Sequence, residues 1–392
     1  SDVYKRQICV LLCFVYCVIF GSILSFQWFC FGSSDDYTSA FGNNFDGYTV
    51  IKDSQEYALS FGGELTDETL QKIVSDYQQM EADGMGEELE KTDWQIVNSW
   101  LGTLYPELRD TSNYKTMISY VDPDKLTGFY ERRQQVLDEF LEVSGQVGAE
   151  KEFLHQIERK VEKPFRYEWV EGWSTLLGSM VADLGVVMAL FLGIVLSSLF
   201  AGEWHDNTST LVLTTRNGWG KIALAKILTG LAFTVELFAL LAVSNVISQL
   251  FFMGTAGWDM PIQNIKLIAV APMNMLQAEI YEYAFVLLGA IGFAGIVMFI
   301  SAAVKNNVLT LLLSLAVVYG PMMIAEYLPY KMQKALDLIP LVGSSTDIFR
   351  TNTFRIFGKL IWSPYLLITI PVLIGILCMP FAIKSWSRRM KA

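Results

Sequence analysis

The sequence has few of the residues that build catalytic and metal sites. Its 392 residues include two histidines, His155 and His205, and five cysteines. No His, Cys and Asp residues stand at the spacing of a metal site, and no Gly-x-Ser-x-Gly elbow of a serine hydrolase occurs. We therefore expect no catalytic residue and no metal site, and we do not expect the chain to be an enzyme.

The sequence also lacks a nucleotide-binding loop. The stretch GWGK at 218–221 resembles part of a phosphate-binding loop. That loop requires Gly at position 215 and Ser or Thr at position 222, but the chain has Thr215 and Ile222. No basic patch with interleaved aromatic residues occurs either, so nucleic acid is not an expected partner.

Negative charge is concentrated in one block of an otherwise apolar chain. The chain is 52% hydrophobic and 18% charged, with a net charge of -11, a composition typical of membrane proteins. Residues 33–173 hold 29 Asp and Glu against 13 Lys and Arg, a net charge of -16. This block is expected to be a separate domain that faces water. None of the cysteines lies in it, so it must fold around its own core without disulfide bonds.

Six stretches are long and apolar enough to cross a membrane as helices, which takes roughly 20 residues each. The stretches are 8–31, 184–202, 227–253, 283–304, 306–325 and 360–383. The first is longer than the apolar core of a cleaved signal peptide and no small-residue cleavage site follows it, so we interpret 8–31 as a retained signal anchor.

The predicted fold class is an all-α polytopic membrane protein with six transmembrane helices. A mainly helical extracellular domain at 33–173 is inserted between the first and second helices, and a five-helix membrane domain follows at 174–392. Basic residues in the short loops and in the C-terminal flank favour an orientation with both termini in the cytosol. In this orientation the loop 201–226 is cytosolic.

Five basic residues between the last two apolar stretches do not fit this orientation. Apolar residues alternate with them, so we expect this segment to lie at the membrane interface or to dip into the membrane. The five are Lys331, Lys334, Arg350, Arg355 and Lys359.

Helical periodicity appears within the acidic block. Thr66 is predicted to cap a helix, and further helices are expected from Asp93, from Asp124 and before Pro164. The aromatic residues of these helices form either the core of the domain or a ligand groove, and the core is the favoured interpretation. They include Trp94, Trp100, Tyr105, Phe129 and Tyr130.

Two carboxylates fall in or beside the apolar stretches. Asp183 precedes the second stretch, and Glu236 lies within the third. A charge in hydrocarbon is costly, so each is expected to face protein or water. Either they lie on a translocation path or proton relay, or they form hydrogen-bonded contacts between helices.

The polar stretch between the second and third apolar runs has the most informative pattern. Residues 203–221 have the sequence EWHDNTSTLVLTTRNGWGK, with a Glu at 203, a Thr five residues later, an aliphatic triplet at 211–213 and a Lys at 221. This pattern resembles the first cytoplasmic loop of bacterial ABC transporter permeases of the type 2 exporter class. A large extracellular domain after the first span is similar to one branch of that class, although the proline common after the triplet is absent here.

The resemblance implies that the loop 201–226 is a coupling loop. In this class a short helix, polar yet apolar enough for an interface, docks into a groove of a separate ATPase subunit, which binds ATP and Mg. The residues expected to make this contact are Glu203, Trp204, Thr208, Leu211, Leu213, Arg216 and Lys221.

The resemblance also implies the setting in which the chain works. The chain itself is expected to bind no cofactor. It is expected in the bacterial plasma membrane, among membrane lipids, beside a second permease half that is identical or different. Its segment 328–359 would match the re-entrant region of the family.

Three functions fit these features. The first is a permease subunit of an ABC exporter for an amphiphilic, lipid- or peptide-like substrate. The second is a mechanotransmission subunit that passes ATP-driven motion to an envelope partner. The third, a membrane sensor or receptor, is the least favoured, because no cytosolic segment is long enough for an output domain.

Overall fold

The computed structural model describes most of the chain beyond residue 48. The described residues are 49–60, 62–85, 94–110, 116–205, 220–304, 306–343 and 352–388. The predicted first span at 8–31 and residues 206–219 of the polar loop lie outside them.

The chain divides into two compact units. The first, which we call the membrane unit, contains the described parts of Gly178–Ser244 and Ile280–Ala392. The second, which we call the acidic unit, contains the described part of Val15–Leu177 together with Asn245–Glu279. The acidic unit therefore includes Asn245–Glu279, which joins two of the apolar stretches. The sequence gives no reason to separate this segment from the membrane helices.

The acidic unit is mainly helical. Its described helices include α1 Thr49–Ser60, α2 Asp67–Met80, α3 Trp94–Leu104, α4 Phe129–Val143 and α5 Ala149–Glu158. A short antiparallel pair joins β1 Gly63–Glu64 to β2 Arg166–Tyr167.

The start of α2 agrees with the prediction from the sequence. The Thr66 hydroxyl accepts a hydrogen bond from the Thr69 backbone N–H, and Asp67 and Glu68 occupy the first turn. Negative charge at this position is stabilised by the helix dipole. The buried face of α2 carries Leu70 and its apolar neighbours along the helix, so one amphipathic stripe packs into the core.

The helix predicted from Asp124 begins later, at Phe129. The Asp122 carboxylate accepts a hydrogen bond from the Asp124 N–H and starts the short turn Pro123–Lys125 instead. Gly128 then adopts a left-handed conformation, with φ of 73°, immediately before α4. Because Asp122 caps a separate turn, Asp124 and the residues just after it do not join the helix that the periodic pattern predicts.

Three of the predicted aromatic residues lie in the core of the acidic unit. Trp100, Tyr105 and Phe129 are each at most 1% exposed, so the core interpretation is confirmed for them. Tyr130 packs edge-on against the Phe165 ring, with 5.3 Å between ring centroids. The side chain of Trp94 lies outside the described residues.

The remaining helices include the membrane-spanning ones. They are α6 Glu171–Thr175, α7 Val181–His205, α8 Lys221–Met253, α9 Met275–Ala303, α10 Asn307–Ile324, α11 Tyr330–Leu336 and α12 Ser363–Arg388. A turn of π-helix at Leu176–Met180 joins α6 to α7.

Five candidate spans occur in the described part of the chain, which is therefore a multi-pass helical membrane protein. The spans are Glu171–Trp204, Lys221–Met253, Met275–Ala303, Asn307–Tyr327 and Ser363–Ser387. Each corresponds to one of the predicted stretches from the second to the sixth. The prediction of a helical polytopic fold is confirmed to this extent.

Helix α9 begins eight residues before the predicted stretch 283–304. The added turns contain Glu279 and Glu282, which are 3% and 4% exposed. These carboxylates fall outside the uncharged apolar run that predicts the span. They fit within the helix because the surrounding protein, and not lipid, covers them.

Helices α9 and α12 approach each other closely at small residues. A Cβ atom built on Gly295 would lie within 3.0 Å of the Gly375 backbone, and one built on Gly292 would lie as near to the Pro371 carbonyl. Real Cβ atoms essentially never come so close. The absence of side chains here lets the two backbones meet, as is common between membrane helices.

A β-hairpin between α11 and α12 was not predicted by the all-α interpretation. Strand β3 Thr353–Ile356 pairs antiparallel with β4 Lys359–Trp362, and Ile356 faces Lys359. The two turn residues, Phe357 and Gly358, have φ of 49° and 78°, the pattern of a type I′ turn. A left-handed conformation costs about 1–2 kcal/mol for a residue other than glycine.

Candidate functional site

The described part of the predicted coupling loop consists of the two helix ends that flank it. Glu203 and Trp204 lie in the last turn of α7, and Lys221 is the exposed first residue of α8. The other predicted contact residues, Thr208, Leu211, Leu213 and Arg216, lie outside the described residues.

Glu203 forms an ion pair that bridges α7 and α8. Its Oε1 lies 2.6 Å from Nζ of Lys226, and the two side chains are 21% and 16% exposed. The Lys226 ammonium also donates a 2.5 Å hydrogen bond to the Leu199 carbonyl oxygen. A charge pair at this depth is screened less by solvent than a surface pair, so it fixes the two helix ends relative to each other.

Aromatic rings surround the Lys226 ammonium. It lies 5.3 Å from the centroid of the Phe200 ring and 5.6 Å from that of Trp386, within the range of cation–π attraction. Trp386 in turn contacts Phe200 at 5.5 Å and Trp204 at 6.0 Å between ring centroids. We call Phe200, Glu203, Trp204, Lys226 and Trp386 the Trp386 cluster.

The Trp386 cluster therefore joins three membrane helices at one end. Phe200, Glu203 and Trp204 belong to α7, Lys226 to α8 and Trp386 to α12. Trp386 is fully buried. The sequence does not predict the role of Trp386, because a tryptophan at the basic end of a span is more often an interfacial anchor. No local sequence pattern links Trp386 to Lys226.

A serine connects α9 to the same end of α7. The Ser301 hydroxyl donates a 2.8 Å hydrogen bond to the Ser197 carbonyl and accepts hydrogen bonds from the backbone N–H groups of Phe200 and Ala201. Ser385 of α12 donates to the Ala302 carbonyl at 3.3 Å. Four helices are thus linked through polar groups at the end that carries the loop.

The two predicted intramembrane carboxylates are not brought together with this cluster. Asp183, in the first turn of α7, and Glu236, near the midpoint of α8, both have exposed side chains. Within the described part of the chain, neither carboxylate is therefore buried between helices. In the described membrane helices, the carboxylates with the lowest exposure are Glu279 and Glu282 of α9, which the prediction did not include. Their signal in the sequence is the i, i+3 spacing of two acids just before an uncharged apolar run.

A second set of contacts holds the segment between α8 and α9 within the acidic unit. We call residues 254–274 the connection. Indole N–H groups donate to backbone carbonyls in or beside it: Trp100 to Asn264 at 2.7 Å, Trp169 to Met253 at 2.9 Å and Trp173 to Ala256 at 2.9 Å. Hydrogen bonds of this kind contribute about 1 kcal/mol each.

A buried arginine strengthens this attachment. The Arg133 guanidinium donates to the Leu267 carbonyl at 2.8 Å and to the Ala269 carbonyl at 3.2 Å. It also pairs with Glu158, whose Oε1 lies 2.6 Å from Arg133 Nη1 and 2.8 Å from Lys163 Nζ. Burial opposes ionisation of Glu158, but the hydrogen bonds from Lys163 and Arg133 outweigh it and keep the pKa of this carboxyl below its usual value.

Within the described residues, no three His, Cys, Asp or Glu side chains come together as a group that could hold a metal ion. Ion pairs, rings and hydrogen bonds fix helices to one another at the loop end of the membrane unit, and fix the connection within the acidic unit. Comparison of the chain with protein-family models, with curated proteins and with solved structures gave no match.

Proposed function

We propose that the chain is the membrane-spanning permease subunit of a bacterial ATP-driven exporter, with a separate cytosolic ABC ATPase supplying the energy. The pattern at 203–221 and its position between two membrane helices support the proposal. The observation that carries it is the Trp386 cluster, because the helix ends that flank the loop are fixed there to a third membrane helix.

In this proposal the loop 201–226 is where the chain senses ATP bound to its partner. The loop docks on the ATPase, and binding of ATP and Mg there displaces it. The Glu203–Lys226 pair passes the displacement to α7 and α8 together, and Trp386 passes it to α12. Helices linked in this way move as a rigid body.

The exposed position of Glu236 is a reason to propose that a second permease half or an aqueous path lies beside α8. A carboxylate exposed to lipid near the middle of a membrane helix is costly. A second half, identical or different, or a water-filled path for an amphiphilic, lipid- or peptide-like substrate would remove this contact with lipid. A Glu236→Leu variant should then change dimer cross-linking or export, and unchanged values of both would contradict this role.

Co-purification with the ATPase tests the coupling role. Glu203→Ala and Leu211→Asp should each abolish recovery of the co-expressed ATPase while the chain still inserts into the membrane. Glu326→Ala, which alters an exposed carboxylate elsewhere, is the matched control and should retain the ATPase. Recovery at the wild-type level with both loop variants would refute the assignment.

A charge-swapped variant separates contact with the ATPase from support of the fold. Glu203→Lys combined with Lys226→Glu restores the ion pair between α7 and α8 but reverses the charge that the loop presents. If Glu203 contacts the ATPase directly, the swapped chain is folded and does not recover the ATPase. If the swapped chain recovers it fully, Glu203 acts through Lys226 alone.

Mechanotransmission is the second candidate, and the connection favours it. The last residues of α8 and the first of α9 belong to the same compact unit as the acidic helices, and Arg133 and three tryptophans fix the connection there. Motion of α8 and α9 would then move the acidic helices, which would act on an envelope partner. ATP hydrolysis by the reconstituted pair distinguishes the two: stimulation by an amphiphile favours export, whereas dependence on the acidic unit without such stimulation favours transmission.

A further inference from the structure

The tip of the hairpin β3–β4 exposes an aromatic ring. Phe357 is 102% exposed, the largest value among the exposed large hydrophobic residues of the described chain. It occupies the first turn position, where φ is 49° and where Asn, Asp or Gly is the usual residue. Neither packing nor turn geometry accounts for a phenylalanine at this position.

Positive charge flanks the tip on both faces of the hairpin. Lys359 is paired with Ile356, and Arg355 is paired with Leu360, so the two cations alternate onto opposite faces. Both side chains are exposed. They belong to the group of basic residues that does not fit the charge pattern of the loops.

The hairpin is continuous with a membrane-spanning helix. Strand β4 ends at Trp362 and α12 begins at Ser363, with no residue between them. The buried Trp362 packs edge-on against Tyr365 at 6.0 Å between ring centroids. Tyr365 itself is 62% exposed, like the tyrosines of aromatic belts at membrane interfaces. Phe357 precedes Ser363 by six residues, so at about 3.4 Å per residue the tip lies within roughly 20 Å of the start of the span.

We propose that the hairpin tip is a lipid-binding element. Phe357 inserts at the boundary between headgroups and acyl chains, and Lys359 and Arg355 bind the phosphates of anionic phospholipids. One ring with a cation on each side matches the amphipathic pattern of an interfacial anchor, whereas it is too small an apolar surface for a protein partner. The proposal rests on the membrane helices and is independent of the proposed exporter function.

Depth-dependent fluorescence quenching tests the insertion. A Phe357→Cys variant, in a chain whose native cysteines are replaced by alanine, carries an environment-sensitive fluorophore in nanodiscs with spin-labelled lipids. We expect quenching by a label near the headgroups at least about twofold stronger than by a label near the bilayer centre. Val143→Cys, a comparably exposed position at 89%, is the control and should not be quenched. Quenching at 357 equal to that at 143, or strongest at the bilayer centre, would overturn the proposal.

Thermal stability tests the headgroup contact in the chain with its native cysteines. Phosphatidylglycerol added to the detergent-solubilised protein should raise the melting temperature more than phosphatidylcholine does. Neutralising Lys359 and Arg355 by Lys359→Gln and Arg355→Gln should weaken phosphatidylglycerol binding about fivefold per charge.

A variant of the tip separates lipid binding from the turn itself. Phe357→Asn suits the left-handed turn position, so it should keep the hairpin while it reduces the phosphatidylglycerol effect. An unchanged effect in Phe357→Asn, or an equal effect of inorganic phosphate on the wild type, would contradict a lipid site.

Discussion

Lys226 is the residue at which most contacts of the Trp386 cluster meet. Its ammonium group pairs with Glu203, donates to the Leu199 carbonyl and lies over two aromatic rings. A partly buried charge of this kind is stabilised by its partners, and removal of one partner leaves the other uncompensated. Loss of either partner should therefore weaken the contact between the ends of α7 and α8.

Single substitutions at this pair should destabilise the chain. Glu203→Ala and Lys226→Ala are each expected to lower the free energy of unfolding by about 1–3 kcal/mol, and the charge-swapped double variant should recover part of the loss. Thermal unfolding of the purified protein measures this. Lys221→Ala, at an exposed position of the same loop, is the control, and equal effects at 221 and 226 would show that the pair contributes nothing.

The lowered pKa of Glu158 predicts how the stability of the acidic unit depends on pH. Its pKa is lowered in the folded chain, since hydrogen bonds from Lys163 and Arg133 outweigh the larger single effect of burial. Its contribution is therefore complete above the unfolded carboxyl pKa, about 4.3, and is lost as pH falls through the folded pKa. The melting temperature should fall more steeply below about pH 4.3 in the wild type than in Glu158→Gln, and identical pH profiles would contradict this.

At the scale of elements, the contact of α9 with α12 depends on glycine. Gly295→Ala should lower the free energy of unfolding by about 1–3 kcal/mol, because the added methyl group meets the Gly375 backbone. Gly320→Ala in α10 is the matched control, since a Cβ there meets nothing within 4 Å, and it should be neutral or slightly stabilising. Thermal unfolding compares the two, and a neutral Gly295→Ala would show that the helices are not in close contact.

The elements that the sequence predicts well are those set by local pattern. Apolar runs identify the spans, and Thr66 with the acids that follow it identifies the start of α2. The early start of α9 was missed because burial by other helices, which no local pattern records, makes Glu279 and Glu282 tolerable in a span. The hairpin was missed because its turn has Phe357 where the usual signal is Asn or Asp.

At the scale of the whole molecule, the arrangement depends on contacts between distant residues. Arg133 meets the Leu267 carbonyl across 134 positions, and Trp100 meets the Asn264 carbonyl across 164. Indole and guanidinium donors to backbone carbonyls leave no mark in the sequence, because any residue supplies a carbonyl. The place of the connection in the acidic unit was therefore not predictable.

The candidate site was predicted in part for the same reason. Glu203 and Trp204 are singled out by the pattern of the loop, and the structure adds their partners from elsewhere in the chain: Lys226 pairs with Glu203, and Trp386 packs against Trp204. The local sequence predicts that 201–226 is a coupling loop. Only the tertiary fold shows that the helix ends beside this loop are joined to α12.

Cross-linking from the loop to its neighbour tests whether the loop contacts an ATPase subunit. A photoreactive benzoylphenylalanine placed at Leu211 in living cells of the host should cross-link to the ATP-binding subunit of an ABC transporter, identified by mass spectrometry. The same residue at Val143, in the acidic unit, should not. Cross-linking of position 211 to envelope proteins alone, or its labelling by a reagent that cannot cross the membrane, would contradict the account.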